Sequence, residues 1–288
     1  MGTQQHFLDR RSQLIDNPQS IIDAEEQFQE YLVHQVIGRC YEQIEREFSH
    51  SPRELLDFWR NYPPEQRGRQ PVGNSVPWLE LGEKVIAHNI ISQISRNNPH
   101  IQFHGLPTGG DIRFTLPGLY VHLDIKMTGP NDNPDEVVVP PNQISGAGDK
   151  WNDFGFLNSN FPIYYQSSTR SNLINYCFQP KLPPFYIIEG NHHLTITAFI
   201  DAIYDVQSFG NHKLLKLEVS IVPNGLLLFD TLMLANTNGL LIAGKDDKTI
   251  PDDSKRVRVR LNPLCRIAKW RSISVLKLGG DINFQFRI

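Results

Sequence analysis

The spacing of hydrophobic positions changes character part-way along the chain. From Ile21 to Phe48 the apolar residues Ile21, Ala24, Phe28, Tyr31, Leu32, Val36 and Ile44 fall near helical spacing with Glu and Gln between them, which predicts an amphipathic helical opening. A second, short helix is expected from Pro52 to Arg60. The stretch Tyr62 to Pro77, YPPEQRGRQPVGNSVP, is too rich in Pro and Gly for regular structure, and WLELGEKVIAHNIISQI after it resumes helical spacing. Strand patterns then take over. Phe114 to Lys126 reads as a strand pair or a bent strand, and Thr128 to Asn152 as loop with one apolar run, Val137 to Val139. PFYIIEG, LTITAFI and LLKLEVSIV have strand composition, the last alternating Leu215, Leu217, Val219 and Ile221 inward, and Val222-Pro-Asn-Gly225 is a turn signal. Helices first, then a sheet with insertions and without an internal repeat, is the pattern expected of one α/β domain over residues 1–288. Its parts are a helical opening (about 1–60), a core (about 61–200) and a further sheet region (about 201–288).

One strand carries chemistry. In Leu119 to Lys126, LYVHLDIK, alternation puts Val121, Leu123 and Ile125 on one face and Tyr120, His122, Asp124 and Lys126 on the other. The first face is a core face. On the second, a carboxylate and an ammonium two places apart stand within about 7 Å of each other at a rise of roughly 3.3 Å per residue, so both can point at one reacting group. Upstream, in TGGDIRF, Asp111 follows Gly109 and Gly110, where glycine permits a sharp turn or a close approach. An Asp followed about a dozen residues later by Asp-x-Lys is the signature of the PD-(D/E)xK nucleases. Two carboxylates suit a hard divalent cation such as Mg²⁺, which keeps several waters and takes remaining ligands from a phosphate. Lys126 would orient or deprotonate the attacking water and offset developing charge. The bland reading of the same residues is a strand ending in two solvated exit positions. His122 is expected to be a packed or hydrogen-bonded strand histidine. Glu80 and Glu83 are surface acids by default, and only the Asp, Asp-x-Lys pattern promotes Glu83 to a candidate third carboxylate.

Composition narrows the class. Forty per cent hydrophobic and 20% charged residues make an ordinary globular chain, long enough at 288 residues to bury a core without staples. Three widely separated cysteines, Cys40, Cys177 and Cys265, give no metal-ligand spacing and no disulfide framework, which points to a reducing cytoplasm. The N-terminus lacks the apolar core of a signal peptide, and no run of eighteen apolar residues occurs, so no membrane partner is expected. A net charge of −3 argues against a generic polyanion binder. The charge is uneven, however. Lys245 to Arg271 holds nine Lys/Arg against four Asp, a local +5 that leaves −8 on the rest, so any nucleic-acid surface should be local.

Inside that window, KRVRVRL faces Val257, Val259 and Leu261 one way and lines Arg256, Arg258 and Arg260 along the other. Lys245 and Asp247 precede the row in a polar loop. Arg and Lys pair with guanine O6 and N7 while Asp accepts from cytosine N4, so the mixture suits a G·C-rich major groove better than a bare phosphate track. An arginine ladder cross-paired with acids on a neighbouring strand would look the same.

The runs NYPPEQRG, PWLELGEK, GLPTGGD, LDIKMTGPND, PPNQISGAGD, VPNG, GKDD and KRVRV, in that order from about Asn61 to Val259, resemble the Bgl I type II restriction endonuclease family. The resemblance implies a PD-(D/E)xK restriction-endonuclease-like α/β fold, a mixed β-sheet flanked by helices, with a catalytic core followed by a DNA-reading sheet region. It also implies a homodimer, each subunit reading one GCC half-site of double-stranded DNA, and Mg²⁺-dependent cleavage at GCCNNNNNGGC or a close relative, with no nucleotide cofactor. Matched by motif position, Asp111, Asp124 and Lys126 correspond to the family's catalytic residues, the two Asp to its metal ligands, and Glu83 to its ancillary acid. Lys245, Asp247, Arg256 and Arg258 correspond to its base-reading positions. No family role transfers to Arg260, for which a phosphate contact is expected, and the loop PNQISGAGD is expected near the DNA backbone or spacer. Two departures stand out: Gly110 occupies the place of the motif's Pro, and the loop between Asp247 and Arg256 reads KTIPDDSK. Rival readings are a DNA-binding protein without cleavage and a metal-dependent phosphoesterase acting on small substrates.

Overall fold

The computed structural model describes residues 2–61, 78–105, 110–152, 155–166, 173–208, 211–229, 239–244 and 256–287. Four helices come first: α1 (Gly2–Asp16), α2 (Pro18–Glu30), α3 (Gly38–Asn61) and α4 (Trp78–Asn97), with a π-helical stretch, Tyr31–Ile37, joining α2 to α3. The separate helix expected at Pro52 is the end of α3, which runs unbroken to Asn61. The apolar stripe read from the sequence is buried: Ile21, Phe28, Leu32, Val36 and Ile44 are all at most 2% exposed.

These helices lie against a mixed sheet of eight strands among the described residues. Its order is β1 (Gln102–Phe103), β2 (Ile112–Leu116), β3 (Leu119–Thr128), β10 (Asn191–Ser208), β11 (Asn211–Val222), β14 (Ser272–Leu278) and β15 (Asp281–Phe286), with β9 (Phe185–Ile188) also paired to β10. The strand pair expected at Phe114–Lys126 is the β2–β3 hairpin. β3 and β10 run parallel, putting Phe199 beside Asp124 and Asp201 beside Lys126. In β11 the inward alternation holds for Leu217, Val219 and Ile221 but fails at Leu215, which is exposed while Leu214 is buried. The cause is a bulge: Ile203 pairs with Lys216 and Tyr204 with Leu214, so Leu215 has no partner and the alternation slips by one.

A second sheet is built from interleaved segments, β4 (Glu136–Val139), β13 (Val257–Arg260) and β12 (Leu241–Ala243), with β13 in the middle. Two hairpins, β5 (Lys150–Asn152) with β6 (Gly155–Leu157) and β7 (Phe161–Gln166) with β8 (Leu173–Phe178), complete the strands. The expected turn after Val222 leads into a single helical turn, α5 (Gly225–Leu228), whose Asn224 side chain accepts from Leu226 N, and α6 (Leu261–Ile267) follows β13. Val137, Val139, Val257 and Val259 form a second core with Ile144, Phe199 and Val222. Phe199 and Val222 belong to the main sheet, so the small sheet sits on the face of it that also carries Asp124 and Lys126. This face of β3 is as buried as the apolar one: the second core begins at Phe199, beside Asp124, while Tyr120 and His122 are covered by the Tyr186 ring of β9, with His104 stacked on Tyr120.

One buried ion pair ties α2 to the sheet. Arg271 donates from Nη2 to Glu25 Oε2 at 2.7 Å, and Asn224 N donates to Glu25 Oε1 at 2.6 Å. Both charged side chains are at most 2% exposed, so removing one partner leaves the other buried and uncompensated. No helix of the described residues is long and apolar enough to cross a membrane.

Candidate active site

The hairpin β2–β3 brings Asp111 and Asp124 together by register. Ile112 faces Leu123, so Asp111, just before β2, falls opposite Asp124. Its Oδ2 accepts a hydrogen bond from Ile125 N at 2.8 Å. Gly110 makes this approach feasible, because a Cβ there would stand 2.5 Å from Leu123 O. A proline in its place would meet the same backbone, so the departure from the motif follows from how closely this chain's hairpin closes.

Asp124 is buried and its carboxylate is paired with the Lys126 ammonium. Glu83, half-buried in α4, joins them. Its carboxyl is pushed up to about 7, first by burial and then by the Asp111 carboxylate, with Lys126 opposing and Asp124 adding to the rise. Asp124 is pushed up to about 6 by burial, against the pull of Lys126 and with a further push from Asp111. Three carboxylates gathered around one ammonium form a negative pocket suited to a cation. Among the described residues no three His, Cys, Asp or Glu side chains are arranged to hold a metal ion by themselves. A pair of carboxylates with water and phosphate supplying the rest is the donor set that a Mg²⁺-like ion accepts.

Two residues that the sequence reading did not single out stand in this site. Gln143, at the end of a 3-10 turn (Pro141–Gln143), donates from Nε2 to Asp124 Oδ1 at 2.5 Å and accepts from Lys126 Nζ at 3.0 Å. Asp201 on β10 lies beside Lys126 in register and accepts from Thr128 Oγ1 at 2.8 Å; burial raises its carboxyl to about 6. Asp201 had a signal, since it interrupts the apolar run LTITAFI-DAIY as Asp124 interrupts that of β3. Gln143 had none. The Lys126 ammonium also lies 5.8 Å from the centre of the Phe199 ring, where the second core begins. His122 is a strand histidine, as expected, with Nε2 2.9 Å from the Tyr186 hydroxyl; burial, the nearby Arg113 guanidinium and the His104 imidazole hold its pKa down to about 3.

The arginine row has the expected alternation. Val257 and Val259 are buried, Arg258 and Arg260 are half-buried, and Arg256 is exposed. Arg258 donates from Nη1 to Glu136 Oε2 on β4 at 2.8 Å, and Arg260 from Nη1 to Gly239 O at 3.3 Å. The cross-strand acid that the bland reading required is therefore present at Arg258. Lys245 and Asp247 lie outside the described residues.

Three comparisons bear on this arrangement. A family model for the restriction endonuclease BglI matches residues 3–275. The type II restriction enzyme BglI of Bacillus subtilis is 34% identical over 276 residues, 88% of this chain and 90% of that protein. Among solved structures, restriction endonuclease BglI bound to its DNA recognition sequence superposes with a TM-score of 0.79 at 31% identity, covering 96% of this chain and 97% of that one. The tetrameric restriction endonuclease SfiI bound to cognate DNA gives a TM-score of 0.55 at 11% identity over 92% and 93% of the two chains, a likeness of fold.

Proposed function

The chain belongs to the BglI family of restriction endonucleases, and from that premise we propose that it is a Mg²⁺-dependent type II enzyme cutting double-stranded DNA at GCCNNNNNGGC. The acting unit is a homodimer, each subunit reading one GCC half-site and cutting one strand, so that protein symmetry matches a palindromic target. The observation that carries the reading is the convergence of Asp111, Asp124 and Lys126 through the β2–β3 register and the Gly110 contact.

In this reading Asp111 and Asp124 hold the divalent ion, with Glu83 completing the negative pocket. What the ion supplies when bound is a Lewis acid for the phosphoryl oxygens and a more acidic water. Asp111 is held for this by Ile125 N, and Asp124 is held in a buried, low-dielectric position where its attraction for a cation is little screened. Lys126 keeps its ammonium at the same point, where it orients the attacking water and offsets charge on the pentavalent phosphorus. Arg256 and Arg258 read guanines, Lys245 and Asp247 complete the half-site, and Arg260 contacts phosphate. The retained residue types at all four base-reading positions support GCC half-sites.

The test is digestion of plasmid and phage DNA with the purified protein and Mg²⁺, followed by sequencing of the ends. Fragments terminating within GCCNNNNNGGC are expected, with none from Asp124→Ala protein. A band shift without fragments, or hydrolysis confined to small phosphate esters, overturns the reading.

A further inference from the structure

Gln143 touches both halves of the Asp-x-Lys motif and belongs to neither strand of the catalytic hairpin. Its amide is a neutral group that donates to the carboxylate and accepts from the ammonium, so it bridges the pair without changing the charge of the site. Lys126 Nζ is in direct contact with the Asp124 carboxylate and the Gln143 carbonyl and lies near the Phe199 ring, with the Glu83 and Asp201 carboxylates close enough to interact electrostatically. A divalent cation draws carboxylate oxygens to itself. Asp124 cannot serve the cation and fully neutralise the ammonium at once, and the neutral amide carbonyl, which draws the cation less than a carboxylate does, is left as a polar anchor for the amine.

The backbone that carries Gln143 is fixed from several sides. Gln143 N donates to Pro140 O at 3.1 Å, Lys181 N to Pro141 O at 2.8 Å, and Gly225 N to Ser145 Oγ at 2.9 Å. Further on, Gly148 N donates to the buried Asn158 Oδ1 at 2.7 Å, and Asn158 Nδ2 donates to Pro180 O at 2.8 Å. Gly146 lies so close to α5 that a Cβ on Gly225 would stand 2.1 Å from Gly146 O. A side chain held on such a frame keeps its position when its partners change theirs, which is the requirement for orienting a catalytic group. Ile144, the next residue, packs in the core beneath the arginine sheet.

We propose that Gln143 is a positioning residue of the cleavage reaction, holding the Lys126 amine in line with the reacting phosphate while Asp124 turns to the cation. The inference rests on the proposed roles of Asp124 and Lys126. Its origin in the turn Pro141–Gln143 gives the loop PNQISGAGD a definite task beside any contact with DNA.

The test compares Gln143→Met, which keeps the volume and loses both hydrogen bonds, with Gln143→Glu, which keeps an acceptor for the amine. Loss of a hydrogen bond to a charged group predicts single-turnover cleavage about 10- to 100-fold slower for Gln143→Met, with DNA binding in Ca²⁺ within about threefold of wild type. Gln143→Glu should recover part of that loss. A second readout needs neither metal nor DNA: the acetylation rate of Lys126 in the metal-free protein, read by mass spectrometry, should rise several-fold in Gln143→Met and less in Gln143→Glu. Gln143→Met with wild-type cleavage or unchanged Lys126 reactivity overturns the proposal. Lys126→Ala serves as the control. If it cleaves normally, the catalytic reading fails; if it is inactive while Gln143→Met behaves as wild type, only the role of Gln143 fails.

Discussion

The carboxylate cluster and the arginine row lie on the same side of the main sheet, yet they meet opposite electrostatic conditions. At the cluster, Asp111 and Asp124 are gathered by backbone register and Glu83 by α4; burial first, and then the neighbouring carboxylates, push Glu83 up to about 7 and Asp124 up to about 6. At the row, Arg258 already has a carboxylate, Glu136, at 2.8 Å, and Arg260 a carbonyl. The cluster is assembled and under repulsion, so it gains from a cation. The row is already partnered, so in the proposed base-reading role Arg258 would exchange a protein partner for a base. Such an exchange would be a source of specificity: a guanine edge would repay the loss of Glu136, and a base that offers poorer acceptors would not.

The sharpest way to break the comparison is to separate cutting from reading. Asp124→Asn should slow cleavage of the cognate site by at least about 10³-fold, given that metal assistance is worth several kcal/mol, while band shifts in Ca²⁺ keep cognate affinity within a few-fold. Arg258→Ala should lower single-turnover cleavage of the cognate site by about 10- to 100-fold and flatten the preference among sequences at one base pair of the half-site, measured on single-substitution duplexes. If Asp124→Asn changed the order of preference, or Arg258→Ala left it intact, the two regions would not divide the work as described.

Smaller effects sharpen it. Glu136→Gln weakens the hold on Arg258 without removing it, and should raise cleavage at near-cognate sites about three- to tenfold relative to the cognate site, about the value of a partly exposed ion pair. The pH dependence of stability isolates the repulsion at the cluster. Glu83 in the native protein keeps its proton up to about pH 7, whereas in the unfolded chain it has lost it near its ordinary value of 4.5. At this group the native state therefore binds more protons across that window, and the contribution of Glu83 to the stability of the metal-free protein is lost as pH rises from about 4.5 through 7. In urea unfolding, the slope of stability against pH should be more positive in Glu83→Gln than in the parent, by at most about 1.4 kcal/mol per pH unit and less for a group with one side in water. An identical slope in both proteins removes the case for strain at the site.

Much of this was legible in the chain. The helical stripe from Ile21 to Ile44, the β2–β3 hairpin and the valine and arginine faces of Val257–Arg260 follow from local periods of 3.6 and 2, which need no knowledge of neighbours. Asp124 and Lys126 could be picked out because charged groups on an otherwise apolar strand carry a desolvation cost that invites explanation, and Asp111 by its spacing from them. Asp201 carries the same signal, interrupting the apolar run of β10.

What the sequence alone determined is thus the set of faces: which side chains point together along each element, and which of them carry chemistry. Tertiary structure decided what each face meets. The bulge at Leu215 depends on the pairing of β10 with β11, the Arg258–Glu136 pair on a strand drawn in from residues 136–139, and the place of Gln143 on a turn pinned by Ser145, Asn158 and Gly225. The physical reason is range. Backbone sterics and alternation act over a few residues, while burial, pairing and charge coupling join segments far apart in the chain, and no local pattern encodes which ones.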